Sequence, residues 1–168
     1  MQGLGRTFDV QAGFVSDWAS GQDTQRVNLK NASGVTFLCF AAAADNAPDL
    51  NIEQHDAASG GTSKALPLPA GTTFYRKADD SAVPGTWEEV AGVDADLADG
   101  EIDDIFDAND GGVVAVYVDV SWLDVDNEFH YVSASIDDGI VNARQGIVAA
   151  VVEPMVQRKP SNLASLTA

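Results

Sequence analysis

The chain has 168 residues, 45% hydrophobic and 21% charged, a composition that excludes wholesale disorder and fits one domain with a real core. Against 9 basic residues stand 26 acidic ones, a formal net charge of -17, so counterion release on a phosphate backbone cannot drive binding and no nucleic-acid partner is expected. The one cysteine, Cys39, cannot close an internal disulfide, and no apolar run reaches bilayer-spanning length, so no membrane partner is expected either.

Residues 1–20 carry Gly3, Gly5 and Gly13 and the aromatics Phe8, Phe14 and Trp18 without a sustained period. They read as an N-terminal arm that buries its aromatics by lying against its own domain or against a neighbouring subunit. Residues 25–29 predict a first strand. Residues 35–42 predict an apolar strand in which Cys39 is core packing rather than a reactive thiolate. Residues 50–56 alternate apolar and polar side chains, as a half-exposed strand does. A Gly- and Ser-rich break at 58–63 follows, and Pro67 and Pro69 forbid a central strand over 64–69. Residues 72–77 and 86–90 predict two more strands, the second with Trp87 packed under a loop.

Residues 92–112 are the most acidic part, with Asp94, Asp96, Asp99, Glu101, Asp103, Asp104, Asp107 and Asp110 around Leu97, Ile102, Ile105 and Phe106. The expectation is a long surface loop with room for one short strand or helical turn. Residues 111–152 then hold three apolar segments with short breaks: 113–120, rich in β-branched residues; 128–136, which alternates; and 146–152, which runs into Pro154. In chain order they predict an antiparallel meander. The remainder, 155–168, reads as a C-terminal arm in which Arg158 and Lys159 stand out against so acidic a chain. Roughly seven to eight short strands and no amphipathic helix of ordinary length make the fold all-β. The expected form is an antiparallel two-sheet sandwich over 21–154, with jelly-roll connectivity as one way of joining the strands, and extended arms at 1–20 and 155–168.

Chemistry is harder to place. Asp94, Asp96, Asp99 and Gly100 approach an EF-hand loop, but the third acid and the glycine fall one position late and the closing glutamate is missing. No cofactor is expected beyond the alternative of a structural calcium in the acidic loops. Asp124, Asp126 and Glu128 would share a face on an extended strand, where a cation or solvent relieves their repulsion. His55 and His130 have no ligand partners at zinc spacing and read as surface or strand-face histidines. No Gly-x-Ser-x-Gly turn, phosphate-cradling loop or distinguishable carboxylate pair is present, so no enzyme and no catalytic residues are expected.

Several stretches carry a resemblance. Leu123-Asp124-Val125-Asp126-Asn127-Glu128-Phe129, Val132-Ser133-Ala134-Ser135, Asn142-Ala143-Arg144-Gln145-Gly146 and Val152-Glu153-Pro154 resemble a family of small virion proteins encoded beside the capsid genes of tailed bacteriophages. Met1-Gln2-Gly3-Leu4-Gly5, Val27-Asn28-Leu29-Lys30-Asn31 and Ile52-Glu53-Gln54 are similar to it as well. The resemblance implies a capsid decoration or cement protein, made in the host cytoplasm and carried on the virion surface. Its partners would be the major capsid protein and itself, as a homotrimer. The implied anchors are Leu4, Phe8, Phe14 and Trp18, with Arg6, Arg158 and Lys159 for charge complementarity. A head-tail connector, a tail protein, or a calcium-dependent carbohydrate-binding sandwich using Trp87, Trp122 and Tyr131 are the alternatives.

Overall fold

The computed structural model describes residues 7–17, 22–42, 47–78, 85–106, 111–137 and 145–155. The strands, in chain order, are β1 (Asp9–Asp17), β2 (Gln22–Asp23), β3 (Val27–Asn28), β4 (Ala32–Ala41), β5 (Asp49–His55), β6 (Ser63–Ala65), β7 (Thr73–Ala78), β8 (Glu88–Ala91), β9 (Glu101–Ile102), β10 (Gly112–Asp119), β11 (Tyr131–Asp137) and β12 (Gln145–Pro154). They form two antiparallel sheets. The first has the order β1-β12-β4-β10-β7-β8; the second runs β2-β11-β5-β6, with β3 also paired to β11 and β9 to β5. An all-β two-sheet sandwich is thus what the chain forms.

Alternation builds the core. On β4, Val35, Phe37 and Cys39 point inward; so do Val114, Val116 and Val118 on β10, and Val148, Ala150 and Val152 on β12. The second sheet answers with Leu50 and Ile52 on β5 and Val132, Ala134 and Ile136 on β11. Full burial of each large side chain of this kind is worth roughly 1.5–3 kcal/mol.

The three apolar segments at 113–152 do not form a meander. β10 and β12 flank β4 in the first sheet, while β11 lies in the second against β5. Two 3-10 turns, Val120–Trp122 and Val125–Asn127, occupy the link between β10 and β11, so the chain crosses the sandwich there. Segments adjacent in sequence therefore face each other across the core instead of exchanging hydrogen bonds.

Half of the expected N-terminal arm is sheet. β1 pairs with β12 from Asp9↔Val152 to Asp17↔Gln145, closing that side of the first sheet, with an irregularity between Ala12 and Phe14. The 92–112 segment is also more than a surface loop. It holds a helical turn, α1 (Asp94–Leu97), and β9, and its apolar set Leu97, Ile102, Ile105 and Phe106 is fully buried as part of the core. Gly100, at φ +78°, makes this possible: a Cβ there would meet Ile52 O at 2.8 Å and Leu66 O at 2.9 Å, where the segment passes close over β5. Of residues 25–29, only Val27 and Asn28 form a strand.

Candidate functional site

The outward faces of the two sheets carry different chemistry. On the first sheet, pairing aligns three rows across the strands. One is Lys77, Val113, Phe40 and Ile147; the next is Tyr75, Ala115, Leu38 and Ala149; the third is Tyr117, Thr36, Val151 and Val10. Phe40 is 41% exposed, Ile147 42% and Tyr75 47%. Trp87, 53% exposed, comes opposite Lys77 when the β7–β8 register is continued one step past Arg76↔Glu88. Six of the nine exposed large hydrophobics among the described residues, Val10, Phe40, Tyr75, Trp87, Tyr117 and Ile147, thus belong to this face. Among the described side chains, carboxylates on this face stand at its margins: Glu89 beside Tyr75, and Asp119 and Glu153 at the Gly34 end of β10 and β12. Tyr117 lies over Gly34, where a Cβ would come within 2.5 Å of its hydroxyl, and packs edge-on against Trp122 at 6.5 Å and 76°.

The second sheet turns Asn51 and Glu53 of β5 and Tyr131, Ser133 and Ser135 of β11 outward. On this side His55 is buried, at 2% exposure. Its Nδ1 lies 2.7 Å from Ser63 Oγ on β6 and its Nε2 2.7 Å from Ser133 Oγ on β11, so one ring bridges three strands. Arg26 donates to Ser63 Oγ at 3.1 Å and to the carbonyls of Ala57 and Gly60, pinning the 56–62 loop down. Because Ser63 already accepts from Arg26, its own hydroxyl proton can point at Nδ1, which leaves Nε2–H to donate to Ser133. A serine–histidine pair within hydrogen-bond reach is the geometry of an activated nucleophile. Here His55 and Ser133 are buried, Ser63 is exposed but held by Arg26, and the network ties the strands together. Of the two expected settings, surface or strand face, His55 takes the second, buried on β5 between Ser63 and Ser133.

At the β5–β9 end of the same sheet the acids converge. Oxygens of Asp49, Glu101 and Asp103 lie within 4.8 Å of one another, and Asp49 Oδ1 accepts from the Asp104 amide at 3.0 Å. Burial first, then the charges of Asp103, Asp49, Asp96 and Asp99, push the Glu101 carboxyl above its ordinary range. Asp103 is pushed up by burial, by Asp96, Asp49 and Asp104, and by a hydrogen bond with Asp96. Among the described residues, these three side chains could hold a hard divalent cation through oxygen donors.

The acids singled out by spacing are used differently. Asp94 Oδ1 accepts from the Gly71 amide at 2.8 Å, so it fastens a turn, and α1 replaces the ion-wrapping loop. Asp124, Asp126 and Glu128 do not share a face, since the segment is a 3-10 turn ending at Glu128 in the left-handed region, φ 65°. Asp124 is ion-paired with Lys64 and bonded to Asn127, which together hold its carboxyl below the ordinary range. Lys64 also sits 4.2 Å over the Phe129 ring.

Among the implied anchors, Phe8 is half-buried just before β1 and Phe14 is a β1 residue; Leu4, Arg6, Trp18, Arg158 and Lys159 lie outside the described residues. Trp87 is exposed rather than packed under a loop, Trp122 packs against the core, and Tyr131 is on the other sheet, so the three aromatics do not form one platform. Sequence reasoning missed the apolar outer face. Its signal was the apolar residues at both odd and even positions of 35–40, 113–118 and 147–152. Compared with known protein families, with curated proteins and with solved structures, the chain matches none.

Proposed function

We propose that this chain is a bacteriophage virion structural protein, a capsid decoration or cement protein that binds the outer surface of the head and stabilises it. The observation that carries the reading is the segregation of the surface. Among the described residues, a stiff two-layer body gathers acids at one end of the second sheet, turns Glu53 outward on that sheet, and leaves the broad outer face of the first sheet apolar with carboxylates at its margins. Such a body suits a surface layer in which neighbours meet through apolar contact while charge stays in water. The resemblance of the 123–154 segments to capsid-associated virion proteins points the same way. A sugar-binding reading is weaker, since Trp87, Trp122 and Tyr131 do not share a face on which a ring could stack.

The test is to add the purified protein back to capsids that lack it and image the particles by electron cryo-microscopy. Ordered density on capsid symmetry axes is expected; density confined to the neck or tail, or none, would reject decoration. The anchor role of the extreme N-terminus is tested by deleting residues 2–6. A deletion through residue 18 removes β1 and confounds attachment with folding. The 2–6 deletion should lose capsid binding with an unchanged melting temperature.

A further inference from the structure

We infer that the apolar outer face of the first sheet is the contact surface for a second copy of this chain, packed face to face about a two-fold axis. The face spans five strands, β1, β12, β4, β10 and β7. Each of the three rows crosses four of these strands, so at ~4.8 Å per strand and ~6.7 Å per row its footprint is roughly 19 by 20 Å in plan. That lies within the range of the largest apolar patch on a monomer and supplies about half of the ~800 Å² per partner of a standard interface, the remainder falling to side-chain relief and to a rim that includes Trp87.

Charge narrows the occupant. With a net charge of -17, the chain repels nucleic acid and anionic lipid. A basic partner finds carboxylates only at the margin, Glu89 opposite Tyr75 being one, and none among the twelve positions of the three rows, whose one charged side chain is Lys77, so a cation over the centre of the face would be buried unpaired. What the face can accept is another flat apolar surface of similar size, and a second copy supplies one by identity. Sheets pack face to face at ~10 Å when their side chains interdigitate. The alternation of large and small residues here, Phe40 and Ile147 beside Ala115 and Ala149, offers such relief. One self-matching patch generates an isologous pair, whereas the three-fold ring implied by the resemblance needs two different complementary patches. The inference rests on surface geometry rather than on the virion reading, so failure of either leaves the other standing.

The experiment is sedimentation equilibrium of the full chain at ~1–100 μM, in ~20 mM and ~500 mM NaCl. Salt shortens the range of the mutual repulsion of two acidic copies, so a monomer–dimer equilibrium that tightens with salt is expected. Phe40→Glu and Ile147→Glu should each weaken dimerisation by about tenfold or more. Val125→Glu, an exposed apolar position away from the face, should dimerise like the unaltered protein. Circular dichroism and melting curves show whether each variant folds; both face positions are exposed, so unaltered melting is expected. A monomer in both salts, a trimer, or a dimer indifferent to Phe40→Glu and Ile147→Glu overturns the proposal. So does a monomer whose binding to capsids is lost with Phe40→Glu, which would make the shell protein the occupant.

Discussion

The two sheets share one core and differ in what they show to the outside. On the second sheet the outward positions are serine, asparagine, glutamate and a covered histidine, so polar groups meet either water or each other. On the first sheet most of the central outward positions are apolar too, Thr36 and Lys77 excepted. A strand buried on both faces and a strand whose second face awaits a partner are written in the same residues, Val113 to Val118 being the clearest instance. The difference teaches that patterning reports which faces avoid water, and only three-dimensional context reports what covers them.

The largest effect should separate the two faces of β4 itself. Phe37→Ala opens a cavity between the sheets and should cost about 3–5 kcal/mol, while Phe40→Ala, three residues along on the outer face, should cost under about 1 kcal/mol in the monomer. Urea denaturation of both variants measures this; similar losses would mean that the outer face is packed internally.

Next in size is the histidine bridge of the second sheet. Ser133→Ala leaves a buried ring nitrogen without the hydroxyl it contacts at 2.7 Å, and a loss of about 1–3 kcal/mol is expected by the same measurement. An equal loss for Ser135→Ala, one outward position further along β11, would show that the bridge has no special role.

A smaller effect concerns the carboxylates. Glu101 and Asp103 have raised folded-state pKa values, so the native state binds protons that the unfolded chain has released. Stability from this source is therefore highest below the unfolded carboxylate range and is lost as pH rises through the folded pKa values. Asp103→Asn should raise the melting temperature at pH 7 and have no such benefit at pH 3; a lowered melting temperature at pH 7 would mean that the carboxylate makes a stabilising contact. The smallest expected effect is none. Burial pushes the Cys39 thiol up to about 12, so thiol reagents at pH 8 should leave the native protein unmodified and react on unfolding.

Much of the fold was legible in the sequence, and its limits have physical causes. The strands at 35–41, 50–55, 73–77 and 113–119 follow from alternation and from Gly, Pro and Asp breaks, because those signals are local. Pairing was not legible: whether β10 joins β11 or β4 depends on contacts some eighty residues apart, to which a local pattern is blind. Leu97, Ile102, Ile105 and Phe106 hid among eight acids, whose charge dominated the reading even though the four apolar side chains decide where the segment goes. His55 followed the half-exposed alternation of β5, and its burial arises from Arg26 holding a loop that is distant in sequence. The carboxylate group was visible as composition but not as a cluster, since Asp49 comes from another strand.

The position of β4 has a consequence for how the chain comes off the ribosome. Its two neighbours are β10 and β12, the latter ending at Pro154. At ~5–20 residues per second, roughly 6–20 s separate the synthesis of β4 from that of its second partner. Until β10 is made both hydrogen-bonding edges of this strongly apolar strand are open, one remains open until β12 arrives, and folding waits for long loops to close. Nascent chains should therefore be caught by holding chaperones for much of their synthesis, and the final strand acts as the latch whose arrival releases them.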